Sequence, residues 1–301
     1  MQIGLFLGSP TDLDRTVAQV RDARDAGFAT AWLAQIFNTD ALTVLAVVGR
    51  EVDGIGLGTG VVPTYPRHPM MLAGQALTVQ AASGNRLTLG IGLSHQVVIE
   101  GMWGYSFDKP ARHMREYLSA LLPMLRGEAV NVQGETLKAV GQVAVDGVTA
   151  PPVLLAALAP VMLKLAGAVA DGTVTWMTGP ATVASHIVPS ITAAAAEAGK
   201  PAPTVAVGLP VCVTDDAGAA RSRAATEFAV YGQLPSYRAM LDREGAGGPA
   251  DVAIVGDADT VRAQVRALAE TGATELVASP YGSPAEVART VEVLAGLLGT
   301  V

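Results

Sequence analysis

The feature that most constrains this chain is a repeated junction: an amphipathic segment ends at a glycine, and an apolar run follows at once. It occurs as Ala26-Gly27-Phe28, Ser83-Gly84-Asn85-Arg86-Leu87, Ala198-Gly199-Lys200 and Thr271-Gly272-Ala273. Glycine takes the left-handed conformation that closes a helix without steric penalty, so each junction predicts a helix end feeding a strand. Short apolar runs predict buried parallel strands at 3–7, 28–34, 55–62, 87–91, 153–157, 173–177, 204–209 and 275–278. Helical spacing predicts helices at 41–51, 69–82, 111–125, 160–170, 181–198, 217–228, 260–270 and 284–298. A further helix opens after the first strand. Thr11 is its expected cap, Asp14 sits at the capping-box offset, and Leu13, Val17 and Val20 share a face.

Strict strand–helix alternation predicts a parallel sheet with right-handed crossovers. About eight such units in one chain predict closure into a (β/α)8 TIM barrel with insertions, residues 1–301 forming one domain. The alternative is an open, doubly wound sheet. Against it, no Gly-x-Gly-x-x-Gly follows the first strand, and Gly90-Ile91-Gly92-Leu93-Ser94-His95 lacks the third glycine. Two stretches interrupt the alternation. Residues 128–145 read as an excursion or hairpin, and residues 233–250 as a polar, Gly-rich insertion of the kind that serves as a lid.

Composition narrows the function classes. Half the residues are hydrophobic and 16% are charged, enough to bury a large core and incompatible with wholesale disorder. A net charge of −7 without a basic stripe argues against nucleic-acid binding. Cys212 is the one cysteine, so no intrachain disulfide forms, which fits a reducing cytoplasm; it is read as a core residue. The N-terminus lacks the pattern of a signal peptide. The apolar stretch 151–170 is cut by Pro151, Pro152 and Pro160, which argues against a membrane span.

In a barrel the chemistry sits at the C-terminal ends of the strands. On the third strand Gly54, Gly56, Gly58 and Gly60 alternate onto one face. Either something bulky inside the barrel packs there, or a ligand ring lies against the backbone. The strand runs into a stiff loop with Pro63, Pro66 and Pro69, where Arg67 and His68 are surface residues or meet an anion at the rim. The fourth strand ends at Ser94-His95-Gln96. A nucleophile elbow needs glycine where Gln96 stands, so His95 is read as a proton donor instead. His113 and His186 fall on helical stretches and are not read as catalytic. The fifth strand ends at Ala156-Ala157-Leu158-Ala159-Pro160, where a helix begins at once and its N–H groups suit a phosphate. No metal-ligand spacing and no P-loop is present.

Three segments together resemble the bacterial luciferase-like flavin and deazaflavin oxidoreductases: Leu57 to Pro69, Gln80 to Gly92, and Asp171-Gly172. The resemblance spans nearly the whole chain and is strongest to the branch using coenzyme F420, an 8-hydroxy-5-deazaflavin. It implies a barrel with insertions, often a homodimer, and a cis peptide at Gly60–Val61 beside the cofactor ring. Implied cofactor contacts are Gln35, Gly60, Val61, Pro63, Leu93 and Ser94, with the phosphate at Ala157, Leu158 and Ala159. Met177, Thr178 and Gly179 would line the end of the sixth strand. Gln35 departs from the acidic residue that relatives often carry there. His95 stands where sugar-phosphate dehydrogenases of the family carry a catalytic glutamate. Pro180 stands where they hold substrate phosphate with lysine, so a sugar phosphate is not expected. Tyr65, Trp176 and Tyr231, with Trp103 near the rim, suggest a hydrophobic substrate. The expected activity is F420-dependent hydride transfer to an activated C=C or C=N bond. The alternatives are an FMN-dependent monooxygenase and a non-catalytic cofactor-binding protein; a metal-dependent hydrolase is more distant.

Overall fold

The computed structural model describes residues 1–301. The first half runs β1 (Gln2–Phe6), α1 (Leu13–Asp25), β2 (Thr30–Leu33), α2 (Ala41–Glu51), β3 (Gly56–Thr59), β4 (Val62–Pro63), α3 (Pro69–Ser83), β5 (Leu87–Gly92), α4 (Gln96–Gly101), α5 (Pro110–Leu125), β6 (Val130–Gln133) and β7 (Lys138–Gly141). The second half runs β8 (Val153–Leu155), α6 (Pro160–Val169), β9 (Gly172–Trp176), α7 (Pro180–Thr182), a π-helical turn (Val183–Ile187), α8 (Val188–Glu197), β10 (Thr204–Val213), α9 (Ala217–Glu227), α10 (Pro235–Glu244), α11 (Pro249–Val252), β11 (Ile254–Gly256), α12 (Ala258–Ala269), β12 (Glu275–Pro280) and α13 (Pro284–Ala295).

The ring runs β1-β2-β3-β5-β8-β9-β10-β12 and returns to β1, each pair parallel. This is the closed eight-stranded (β/α)8 TIM barrel, with helices outside. Strand alternation divides the apolar residues into two sets. Outward side chains such as Ile3, Leu5, Leu57 and Leu155 join the large core between sheet and helices. Inward ones, Trp32, Leu154, Val174, Ala206 and Val277, fill the lumen, with Phe6 and Val61 packed on them.

Trp32 and Thr30, both on β2, explain half of the glycine pattern. A Cβ on Gly58 would lie 2.4 Å from Trp32 ring atoms, and one on Gly56 would lie 2.7 Å from Thr30 Cγ2. The indole cannot withdraw easily, because Nε1 donates to Thr30 Oγ1 and Glu275 Oε1, each at 2.9 Å. Burial pushes the Glu275 carboxyl above its usual range, against the two donors that lower it. Gly54 departs from the expected face: it precedes β3 and takes a φ of +71° in the loop.

Several local expectations are corrected. Asp12 caps α1, accepting from Arg15 N–H at 3.0 Å, where Thr11 was expected. The third strand is broken at Gly60–Val61, and β4 continues it against β5. The seventh strand runs past Pro210 to Val213, and its end pairs with an extra strand, β11. The 233–250 insertion is mostly helical, as α10 and α11. The 128–145 excursion is the expected antiparallel hairpin, β6–β7. No helix is long and apolar enough to cross a membrane.

The Gln80–Gly92 segment holds the barrel's lower end. Arg86 donates to the carbonyls of Ser83 (2.5 Å), Ile55 (2.5 Å), Gly49 (3.0 Å) and Val52 (2.8 Å), tying the ends of α2 and α3 to β3. Gln80 accepts from Leu87 N–H at 2.9 Å and donates to Thr149 O at 3.0 Å. Asn85 takes a φ of +65° and accepts from Thr149 N–H at 2.8 Å.

Candidate active site

A cavity of about 1230 Å³ opens at the C-terminal ends of the strands. Its floor is the top of the lumen: Phe6 at the end of β1, Val61, Val174, Trp176 and Val277. Phe6 and Trp176 pack with ring centres 5.3 Å apart. One stretch of wall is Leu93-Ser94-His95 after β5, and the next, after the adjacent strand β8, is Leu158-Ala159 leading into α6. Gln233 to Tyr237, entering α10, closes the remaining side.

The Gly60–Val61 peptide is cis. Its flanks are held by the neighbouring stave: Gly60 N–H donates to Leu33 O at 2.8 Å, and Gln35 N–H donates to Val61 O at 3.2 Å. A Cβ on Gly92 would lie 2.8 Å from Val61 Cγ2, so the absence of that carbon on β5 makes room for the Val61 side chain.

His95 is the N-cap residue of α4, its carbonyl accepting from Val98 and Ile99 N–H at 2.9 Å. Ser94 before it has a φ of +61°. The imidazole faces Tyr237, ring centres 5.6 Å apart, and burial lowers its pKa below 6.5. His95 is therefore mainly neutral at neutral pH. On the adjacent stretch of wall, α6 starts with Pro160 and has no side-chain cap at Ala159, which leaves its first-turn N–H groups without intrahelical acceptors.

Of the residues singled out from the sequence, Gly60, Val61, Leu93, Ser94, His95, Leu158, Ala159 and Trp176 line this one cavity. The others lie elsewhere. Gln35 turns its amide oxygen to Ala41 N–H at 2.7 Å and supports the start of α2. Pro63, Ala157, Met177 and Thr178 are buried behind the cavity wall. Gly179 leads into a helix start already satisfied within the chain, because the Glu244 carboxylate accepts from Ala181 N–H at 3.0 Å and Thr182 N–H at 2.6 Å. Tyr65 sits in a separate polar cleft, stacked on His113 with ring centres 4.0 Å apart. Tyr231 packs edge-on against Trp176, ring centres 5.9 Å apart, and backs the wall without lining it.

Sequence reasoning missed Phe6, Thr175 and Tyr237. Phe6 was recoverable, since alternation from Ile3 and Leu5 turns it inward at the strand's upper end. Tyr237 had no such signal, because the insertion that carries it reads as polar loop.

The cavity wall is largely apolar, and Glu100 is its one charged residue apart from the titratable His95. Glu100 is held by Gln96 Nε2 at 2.9 Å and Phe107 N–H at 3.2 Å. Two buried polar atoms of lining residues, Thr175 Oγ1 and Trp176 Nε1, have no hydrogen-bond partner in the protein.

The model of the luciferase-like monooxygenase family matches residues 1–298. The chain belongs to this family. Within it, the chain is 28% identical over 296 residues to 5,10-methylenetetrahydromethanopterin reductase of Methanolobus tindarius, covering 88% of this chain and 90% of that one. Two solved structures share the luciferase-like fold. The coenzyme F420-dependent tetrahydromethanopterin reductase from Methanopyrus kandleri superposes with a TM-score of 0.84 at 24% identity, covering 98% of this chain and 97% of that one. The oxygenating constituent of 3,6-diketocamphane monooxygenase from Pseudomonas putida, in complex with FMN, gives 0.78 at 17% identity, covering 98% and 96%.

Proposed function

We propose that this protein is an F420-dependent oxidoreductase that reduces an activated C=C or C=N bond in a neutral, hydrophobic small molecule. The observation that carries this reading is the composition of one cavity: a broad apolar floor beside the uncapped N-terminus of α6. Such a site suits a flat ring carrying a phosphate, and helix N-terminal N–H groups are a ready anion site. Its volume of about 1230 Å³ exceeds that of a typical small-molecule pocket and leaves room for a cofactor and a substrate together.

The residues present fit a deazaflavin. Leu158 and Ala159 would hold its phosphate through backbone N–H groups, and Phe6, Val61 and Trp176 would support its ring. Thr175 Oγ1 and Trp176 Nε1 are unpartnered polar atoms of residues that line the floor. When bound, the deazaflavin supplies a hydride and reacts poorly with oxygen. The chain then orients the acceptor, excludes water with its apolar walls and delivers a proton. His95, which lines the cavity after β5, is the proposed proton donor. No lysine or arginine lines the cavity, so an anionic substrate would meet only Glu100 and gain no ion pair. The relatives support the cofactor, the proposed homodimer follows the same family likeness, and the proposed cytoplasmic location follows from the single cysteine.

The test is anaerobic turnover. Reduced F420 should be consumed with cyclic enones or imines as acceptors. Oxygen uptake coupled to oxidation of reduced FMN, with no F420 turnover, would overturn the reading in favour of the monooxygenase.

A further inference from the structure

The wall that would meet the phosphate is held from behind by a residue with no place in the chemistry. His186 is buried, 7% exposed, and its Nε2 lies 2.8 Å from Leu158 O. A carbonyl oxygen only accepts, so Nε2 carries the proton and donates. The ring reaches the loop from the π-helical turn, where Val188 N–H bonds to Val183 O and one extra residue widens the helix. Thr173 grips the same loop one peptide earlier, its Oγ1 2.8 Å from Leu155 O and 3.3 Å from Ala157 O.

In a trans peptide the C=O and the following N–H point in opposite directions. The bonds on either side of Leu158 are trans, since Gly60–Val61 is the cis one. Drawing Leu158 O toward His186 therefore turns Ala159 N–H to the opposite side, and drawing Ala157 O toward Thr173 does the same for Leu158 N–H. Neither N–H has an acceptor within the chain, and both residues line the cavity. We infer that His186 is a positioning residue for anion binding: through Leu158 O it fixes the direction of the Ala159 N–H that receives the cofactor phosphate. This rests on the reading of a phosphate-bearing cofactor in the cavity. It also assigns a purpose to the π-helical turn, since an α-helical phase would carry residue 186 to a different angle around the helix.

The test compares binding of F420 with its phosphate-free deazaflavin nucleoside, and of FMN with riboflavin, by fluorescence quenching. The proteins are the wild type, His186→Leu and His186→Gln; Gln keeps a side-chain N–H donor. Far-UV circular dichroism and melting confirm that each variant is folded. In His186→Leu, Kd for the phosphorylated form should rise roughly fivefold to tenfold, with Kd for the phosphate-free form unchanged. At saturating cofactor kcat should stay within about twofold, and His186→Gln should recover most of the affinity. Equal losses for both forms, or no loss for either, would overturn the positioning role while leaving the cofactor reading intact. A wild type that does not prefer the phosphorylated form of either pair would overturn both. Should His186→Leu not fold, His186→Phe, a ring without a donor, takes its place: a loss confined to the phosphorylated forms supports the role, and no loss or an equal loss for both forms contradicts it.

Discussion

Removing Arg86 separates what holds the barrel from what serves the cavity. Its guanidinium donates to four carbonyls at the ends of α2 and α3 and the start of β3. It sits where two helix dipoles turn negative, and it is half-buried, so desolvation opposes the charge. A charge-assisted hydrogen bond contributes about 1.5–3 kcal/mol net, so a plain sum over the set would reach roughly 6–12 kcal/mol. That sum is too large, because the bonds are coupled and water reaches part of the site once the side chain is gone. Single substitutions rarely exceed about 4–5 kcal/mol. We expect Arg86→Met to cost about 3 kcal/mol, which lowers Tm by roughly 6–12 °C for a chain of this size. Arg86→Lys should recover less than half, since an ammonium cannot span that set of acceptors. Arg86 stands just before β5, whose length from Leu87 to Gly92 puts roughly 20 Å of strand between it and the cavity. Cofactor Kd, measured well below the new Tm, should therefore change less than about twofold. A Tm drop under 2 °C, or a large loss of affinity at unchanged Tm, would refute the reasoning.

Three further outcomes follow from the same geometry. Burial pulls the His113 imidazole down to about 4 from 6.5, so between those values the unfolded chain binds more protons and stability rises with pH. The contribution is complete above about pH 6.5 and falls by on the order of 3 kcal/mol toward pH 4; urea titrations should show this slope in the wild type and a flatter one in His113→Gln. Gly58→Ala drives a Cβ into the hydrogen-bonded Trp32 ring and should cost about 2–3 kcal/mol. Gly74→Ala, on α3 with open space around the new carbon, should gain about 0.5–1 kcal/mol, and chemical denaturation of the pair reads both signs. If the His95 imidazolium delivers the proton, the turnover it supports should grow as pH falls below 6.5, because burial lowers its pKa. His95→Ala should lose roughly 10²-fold in kcat and the acid limb of the profile with it; full retention of activity would remove His95 from the mechanism.

The fold was legible because it is written in punctuation. Gly27, Gly84, Gly199 and Gly272 all take positive φ at helix ends, as their junctions implied. The glycines of β3 were ambiguous for a physical reason: the bulky partner, Trp32, comes from the neighbouring stave, and no local pattern in β3 announces it. Of the segments that carry the family resemblance, Gln80 to Gly92 mainly braces the far end of the barrel through Gln80, Asn85 and Arg86, and reaches the cavity only at Gly92. Residues at strand ends, such as His95 and Trp176, were found because a barrel sends them to the rim. Gln35, Met177 and Gly179 were read by position along their strands, but Gln35 supports the start of α2, Gly179 leads into a helix start satisfied within the chain, and Met177 is buried behind the cavity wall. Tyr237 depended on how an irregular insertion folds back over the rim, which neither helical nor strand periodicity encodes.

The central claim is that the cavity takes a deazaflavin in preference to a flavin. Equilibrium binding of F420 and FMN, side by side by fluorescence quenching and thermal shift, tests it most directly. The account predicts tighter binding of F420 and a larger rise in Tm with it than with FMN at equal concentration. Preferential binding of FMN would contradict the account and move the protein to the monooxygenase side of its family, and binding of neither would remove the cofactor assignment itself.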